Sequence, residues 1–187
     1  SPLLPSGPVG DLTPLVTALV AHRGSFPILW GIIYRREILD GCLSTPREIV
    51  EGEDLLMQLG ILMKNPRLCF VSQCVYFYNE GVPNSRKRTL EREMLYDRLL
   101  RQILEPEWET YRAVYVMHQI KQYEEFLMAR NYGVRRAYYS RAIPSPLPGG
   151  VPLLRRLVWS LHPVLGRLLV LVYRKSLKMK SIVKATI

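Results

Sequence analysis

All the acidic residues of this chain lie among its first 125 residues, and this asymmetry constrains the fold more than any other feature. Glu125 is the last acid, and residues 126–187 contain 12 basic side chains. Residues 1–125 carry 14 basic and 16 acidic side chains, a near-neutral balance that suits a globular body. A basic tail rich in Leu and Val suits an anionic surface, such as phospholipid headgroups or a nucleic-acid backbone. The chain is therefore expected to have two regions of different character.

Composition excludes several classes of protein. With 48% hydrophobic and 22% charged residues, the chain is neither a disordered polar tract nor a polytopic membrane protein. Its 3 cysteines cannot form a disulfide scaffold and lack zinc-ligand spacing, which indicates reduced thiols in a reducing compartment. No metal role is assigned to the widely separated histidines, which are His22, His118 and His162. A start at Ser1 without a signal segment suggests that the amino terminus is missing.

The spacing of apolar residues predicts a mixed α/β body. Asn65-Pro66 should stop the helix that begins at Asp54, and Glu105-Pro106 should divide two later helices, the second of which closes at Gly133. The predicted elements are a helix with Thr13 as its N-cap, a strand over 28–34, a helix from Asp54, one or two strands over 68–78, and helices over 86–104 and 107–131.

The last part of the chain is predicted to be a linker followed by an amphipathic helix. Residues 143–152 hold four prolines and two glycines and cannot continue a helix. The longest charge-free run beyond them, 157–166, is shorter than the roughly 20 apolar residues of a spanning helix. On a helix, one stripe would hold Arg156, Ser160, Pro163, Arg167, Arg174 and Lys178, with Pro163 as a site for a kink. The other would hold Leu157, Val158, Leu161, Val164, Leu165, Leu168, Leu169 and Val172. This pattern is typical of a basic helix lying in a membrane interface.

An ordered set of short motifs runs from Trp30 to Tyr78. Its parts are Trp-Gly-x-x-Tyr-Arg-Arg-Glu from Trp30, Glu-Gly-Glu-Asp from Glu51, and Val-Tyr-Phe-Tyr ending at Tyr78, with Ser85 beyond. The set resembles the second half of the catalytic domain of family 2 glycosyltransferases of the GT-A type, which build bacterial cell-surface glycans. The resemblance implies a partial GT-A fold with a mainly helical carboxyl-terminal extension.

In that family the Asp of the acidic pair is the general base, a role that falls here on Asp54, with Glu53 beside it. An inverting transfer needs a carboxylate within hydrogen-bond reach of the acceptor hydroxyl. The helix dipole would keep an acid in the first turn ionised. The alternative is that both acids only cap the helix.

The resemblance also implies substrate-binding residues, each with a simpler alternative. Trp30 and Tyr34 would line the acceptor site, or lie in the core. Gly31 would allow close backbone approach to a ligand, or mark a bulge. Arg35 would face a diphosphate, or be an ordinary surface charge. Ser85 would lie on a loop over the substrates, or be an N-cap.

The chain departs from the family on the donor side. It has no Asp-x-Asp to hold the Mg²⁺ or Mn²⁺ that neutralises the leaving diphosphate, so no metal ligand is assigned to it. The nucleotide-binding half is also absent, and truncation is the favoured explanation. The implied organisation is an acceptor-side half over 1–85, a helical extension over 86–142, a linker over 143–152 and a membrane-surface tail over 153–187.

The expected function is transfer of a sugar from a nucleotide sugar to a glycan or a lipid-linked acceptor, at the inner face of the cell membrane. The fragment alone is expected to be inactive. The alternative is a non-enzymatic module that binds an anionic membrane or nucleic acid through the basic tail. Nucleic acid is the less favoured partner, because the aromatic residues over 111–139 have the spacing of a helical core rather than a stacking platform.

Overall fold

The computed structural model describes residues 7–21, 32–42, 45–49, 52–71, 89–128 and 133–185, and the side chains of all of these except 133–135 and 176–185. The chain divides into two compact units, Ser1–Tyr111 and Arg112–Ile187. Helices predominate and a small sheet accompanies them, so a mixture of α and β structure is confirmed in this broad sense. The four-segment organisation drawn from the sequence stays a prediction.

The first unit packs three helices around aliphatic side chains. Its described elements are β1 (Gly7–Val9), α1 (Thr13–Val20), a 3₁₀ turn (Arg36–Leu39), α2 (Glu53–Leu62), β2 (Leu68–Phe70), α3 (Leu90–Leu104) and a second 3₁₀ turn (Glu105–Glu107). The two strands pair antiparallel, with Gly7 opposite Phe70 and Val9 opposite Leu68. The buried core includes Val16, Leu19 and Val20 of α1, Leu55 and Leu59 of α2, and Leu100 and Leu104 of α3.

The start of α1 differs from the prediction by one residue. Leu12 is the N-cap and Thr13 is already helical, so the assignment of Thr13 as N-cap is wrong. The capping oxygen comes from outside the helix, because the backbone N–H of Thr13 donates to Asp11 Oδ1 at 2.9 Å. This hydrogen bond lowers the pKa of Asp11. The carboxylate of Asp11, rather than the hydroxyl of Thr13, thus accepts a hydrogen bond from the first turn of α1.

The predicted strands are found only in part. Residues 32–35 have no regular structure and lead into the 3₁₀ turn. The prediction of a strand over 28–34 is therefore wrong for residues 32–34, and residues 28–31 lie outside the described part. Within the described residues the sheet has two strands, β1 and β2, and no ladder reaches 32–34. Strand β2 confirms the start of the 68–78 prediction, and residues 72–80 lie outside the described part.

The later helices follow the predicted punctuation. The 3₁₀ turn at Glu105–Glu107 contains Pro106 and separates α3 from α4 (Trp108–Met128), as predicted. The boundary between the two units falls inside α4. Gly133 does not close that helix as predicted but begins α5 (Gly133–Ala142), which is followed by α6 (Leu153–Ser160) and α7 (Pro163–Ala185).

Aromatic rings and one arginine organise the second unit. Tyr123 of α4 makes edge contacts with Tyr139 of α5 and Trp159 of α6, at ring-centroid distances of 6.1 and 5.2 Å. The guanidinium of Arg136 lies 4.3 Å from the Trp159 ring and donates to the Trp159 carbonyl at 2.9 Å. These contacts join α4, α5 and α6 through a desolvated cation–π arrangement.

The tail is two helices rather than one. Residues 143–152 contain no helix, as predicted, and α6 ends at Ser160 before α7 begins at Pro163. Leu161 is extended (φ −74°, ψ 158°) and ends α6. His162 directly precedes Pro163, and a residue in that position disfavours the helical region, so the two helices are separated at 161–162. Proline is well suited to the first position of a helix because it has no N–H to satisfy. Pro163 therefore starts a new helix instead of kinking a continuous one.

Candidate functional site

Glycine is required where α2 begins. The N-cap residue, Gly52, has φ +86° and ψ 9°, a left-handed conformation that favours glycine. A Cβ built there would lie 2.7 Å from Cε2 of Tyr96, a residue of α3. The ring of Tyr96 and the backbone angle together exclude a larger residue. Glu53 and Asp54 follow directly, so this turn places both carboxylates in the first turn of α2.

The acidic pair is not the N-cap of the helix. That position is Gly52, and no side chain makes the capping hydrogen bond. The capping alternative for Glu53 and Asp54 is therefore limited to a general interaction with the helix dipole. Both acids line the space beside this turn.

That space is a small open pocket of about 240 Å³. The first turn of α2 forms one wall and the segment 45–49 forms the other, and the pocket is lined by Thr45, Pro46, Arg47, Ile49, Glu53, Asp54 and Met57. A turn holds the second wall in place, because the Ile49 N–H donates to the Pro46 carbonyl at 3.0 Å. The side chain of Ile49 is buried and anchors this turn in the first unit.

Asp54 is the acid whose ionisation is perturbed. Burial raises its pKa above the usual value, and the negative charge of Glu53 raises it further. A carboxylate with a raised pKa holds a proton more readily while remaining partly open to solvent. This combination suits a group that accepts a proton from a ligand in the pocket.

Tyr34 lies within the electrostatic reach of this pair. Burial raises the pKa of its phenol, and the charge of Asp54 adds to the rise. Its hydroxyl oxygen is buried and makes no hydrogen bond to any residue that the structure describes. A buried hydroxyl without a partner is uncommon in folded proteins and is available to a ligand. The structure therefore brings Tyr34, Glu53 and Asp54 into one neighbourhood.

The other predicted site residues are not gathered there. Arg35 is exposed and does not line the pocket, so the structure gives its predicted diphosphate contact no support. Trp30, Gly31 and Ser85 lie outside the described residues, and their predicted roles stay predictions.

Arg47 is a site residue that the sequence did not reveal. It is exposed and is the one basic side chain among the seven that line the pocket. The sequence around it is a loop without a motif, and its place opposite α2 depends on the turn at 46–49. A guanidinium at this position can hold an anionic group of a ligand in two parallel hydrogen bonds.

The described residues do not fit a divalent metal. They contain no group of three or more His, Cys, Asp or Glu side chains close enough to hold an ion. In the pocket itself two carboxylates stand with one guanidinium, a set with too few oxygen ligands for Mg²⁺ or Mn²⁺. The chemistry of these residues is therefore considered without a metal.

Several tail arginines make contacts within the protein, whereas Lys175 is exposed. Arg156, expected on the polar stripe of an interfacial helix, donates to the carbonyls of Val151 and Pro148, each at 2.9 Å. Arg174 pairs with Glu125 at 2.5 Å, and Nε of Arg167 is buried with no hydrogen bond to a described residue. Arg174 thus has a partner 49 residues away, whereas Arg156 bonds to carbonyls five and eight residues before it.

Arg155 makes the most buried ion pair of this region. Its Nε lies 3.5 Å from Oε1 of Glu124, whose side chain is 15% exposed. Burial raises the pKa of Glu124, and the positive charges of Arg155 and Arg174 oppose that rise without cancelling it. Formation of the Arg155–Glu124 pair therefore requires that both charged groups lose part of their hydration.

Neither the helices nor comparison with known proteins identifies a family for this chain. No described helix is both long and apolar enough to cross a membrane. No protein-family model, curated protein or solved structure matches the chain. The glycosyltransferase resemblance therefore depends on the motifs between Trp30 and Tyr78, and it stays a hypothesis.

Proposed function

We propose that the pocket beside α2 is the acceptor side of a glycosyltransferase and that Asp54 is its general base. The observation that carries the proposal is the placement of Asp54 on the pocket wall with a pKa raised by burial and by Glu53. The order of motifs around this pair, which resembles family 2 glycosyltransferases, gives the class of reaction. The finer fold assignment, a partial GT-A fold, is part of the same proposal.

The chemistry is a single displacement. The acceptor oxygen attacks the anomeric carbon, and its proton passes to the carboxylate of Asp54. The bond from that carbon to the diphosphate oxygen breaks, and its electron pair leaves with the nucleotide diphosphate. A base whose pKa lies above that of an ordinary Asp takes the proton with a better driving force.

The neighbouring residues take supporting roles in this proposal. Glu53 keeps the pKa of Asp54 raised through its charge. Tyr34 does not line the pocket, but the charge of Asp54 acts on its phenol, and its buried hydroxyl makes no hydrogen bond to a described residue, so it is a candidate to contact a sugar hydroxyl. Arg47 is the cation that an anionic acceptor group would meet on entering the pocket. Arg35 has the weakest support, because it is exposed and does not line the pocket.

The proposal gives this chain the acceptor side alone. No Asp-x-Asp occurs in the 187 residues, so no residue of this chain is proposed to hold the nucleotide sugar or its Mg²⁺ or Mn²⁺. The acceptor is a glycan or a lipid-linked saccharide.

The test is release of nucleotide diphosphate from a panel of nucleotide sugars, with Mg²⁺ or Mn²⁺, by the full gene product and its Asp54→Asn variant. We expect Asp54→Asn to lower kcat by about 10²–10⁴-fold, the usual contribution of a general base, with little change in the KM for the donor. Glu48→Gln, an exposed acid that does not line the pocket, is the matched control and should behave as wild type.

Each outcome has a clear meaning. Wild-type turnover in Asp54→Asn would remove Asp54 from the mechanism. No release of nucleotide by any form with any donor would reject glycosyl transfer and favour the non-enzymatic binding module.

A further inference from the structure

Six aliphatic side chains in the described parts of α6 and α7 are exposed. On α7 the exposed fractions are 46% for Val164, 52% for Leu165, 54% for Leu168 and 67% for Val172. On α6 they are 72% for Leu153 and 42% for Leu157. Isolated exposed aliphatic residues are common, but a set at helical spacing indicates a face that is covered by something else.

The exposed residues of α7 form one side of the helix. Val164, Leu168 and Val172 recur every four residues, and Leu165 lies next to them, so all four fall within about 100° of the helix circumference. The opposite side faces the protein: Val170 is 3% exposed, and a Cβ at Gly166 would lie 3.0 Å from the Val158 carbonyl oxygen. The four exposed side chains are called the α7 outer face below.

The charge of the second unit indicates what kind of partner covers the α7 outer face. Arg112–Ile187 contains 14 basic and 2 acidic side chains, and both acids are paired with arginines of the same unit, Glu124 with Arg155 and Glu125 with Arg174. A second copy of the chain would bring two strongly positive surfaces together, which opposes association. An anionic bilayer accepts the apolar side chains and attracts the same charge. The exposed Lys175, one turn after Val172, lies where it would meet headgroups.

We infer that the α7 outer face is a membrane-docking surface, and that α7 lies in the plane of an anionic bilayer with Val164, Leu165, Leu168 and Val172 inserted among the lipids. The tail arginines named above hold the fold together and do not bind lipid. Apolar insertion holds the protein on the membrane, and overall charge brings it there. This inference does not require glycosyl transfer.

The experiment is flotation of the full chain with phosphatidylcholine vesicles that contain or lack phosphatidylglycerol. The wild type should float with the anionic vesicles and only weakly with the neutral ones. The double variant Leu165→Gln/Leu168→Gln should lose roughly tenfold or more in affinity, because two leucine side chains no longer enter the apolar layer. Both side chains are half exposed, so circular dichroism should show an unchanged fold.

The matched control is Ile33→Gln/Val71→Gln, which makes the same kind of change at residues 100% and 72% exposed in the first unit. It should bind vesicles as wild type does. Equal binding by both double variants would overturn the inference. So would a dimer, seen by sedimentation velocity without lipid, that Leu165→Gln/Leu168→Gln dissociates. Asp54→Asn should float normally, so failure of the docking surface is distinguishable from failure of the proposed active site.

Discussion

At the scale of single residues, Gly52 has the most demanding environment in the candidate site. Gly52→Ala should lower the free energy of unfolding by about 2–3 kcal/mol, because alanine disfavours a φ of +86° and its Cβ would overlap the Tyr96 ring. Urea unfolding of the purified chain measures this loss.

Gly60 provides the comparison within the same helix. A Cβ there meets Cys42 Sγ at 3.5 Å, an ordinary contact, so Gly60→Ala should raise the free energy of unfolding by about 0.5–1 kcal/mol through helix propensity. Equal effects of the two substitutions would contradict the proposed role of the Gly52 turn.

Glu53 is expected to control the ionisation of Asp54. Because the charge of Glu53 contributes to the raised pKa of Asp54, Glu53→Gln should lower that pKa. Carboxyl-carbon NMR titration of Asp54 measures it directly, and Glu48→Gln should leave the titration unchanged. In an active enzyme the acid limb of the kcat/KM profile should move to lower pH in Glu53→Gln.

The raised pKa of Asp54 also determines how this residue affects the free energy of unfolding. A carboxyl whose pKa is higher in the folded than in the unfolded chain stabilises the fold fully below the unfolded value and loses that contribution as pH rises through the folded value. Ionisation of Asp54 therefore opposes folding, and Glu53→Gln should reduce that penalty. An Asp54 titration that Glu53→Gln leaves unmoved would reject the coupling.

Sequence reasoning identified the acids of the site but not the residue opposite them. Glu53 and Asp54 begin a helix as predicted, since a glycine before two acids and a run of leucines is a local signal. Arg47 has no such signal, because its position depends on a turn and on the packing of Ile49. Thr13 was misassigned because Asp11, two residues earlier, supplies the stronger acceptor.

At the scale of elements, Arg155 links α6 to α4. Arg155→Met keeps the aliphatic stem but removes the charge beside Glu124, and should cost about 1–2 kcal/mol at neutral pH, less than a fully buried pair because both groups touch solvent. Without Arg155 the folded-state pKa of Glu124 rises further above its unfolded value. The penalty therefore grows as pH rises and fades in acid, where Glu124 is protonated in both states.

Chemical unfolding at neutral and acidic pH tests this pair. A small part of the loss should persist in acid, because Arg155 also donates to the Met117 carbonyl at 3.4 Å. Arg174→Met is the comparison, and its loss should be smaller because both side chains of its pair with Glu125 are 41% exposed. A loss for Arg155→Met that does not depend on pH would contradict the assigned role of Glu124.

Helix boundaries were predictable where local residues decide them. Pro106 interrupts the helices as expected, and residues 143–152 contain none. The inward direction of the tail arginines was not predictable, since Arg174 and Glu125 lie 49 residues apart and helical spacing carries no information on such a partner. The sequence predicted one helix with a kink at Pro163 rather than two helices, because a proline can begin a helix as well as bend one.

At the scale of the whole molecule, the chain forms two compact units that divide at 111–112, whereas the change in charge along the sequence falls after Glu125. The first unit holds the acidic pocket and the second holds the α7 outer face. The predicted division into four segments, 1–85, 86–142, 143–152 and 153–187, stays a prediction.

The inward arginines also decide what an excised tail would be. The partners of Arg155 and Arg174 are on α4, outside residues 153–187, so a synthetic peptide of that segment would release both guanidinium groups. Such a peptide would gain a purely electrostatic attraction for any polyanion, which salt abolishes easily. It would be a poor surrogate for the folded unit, in which those charges are already engaged.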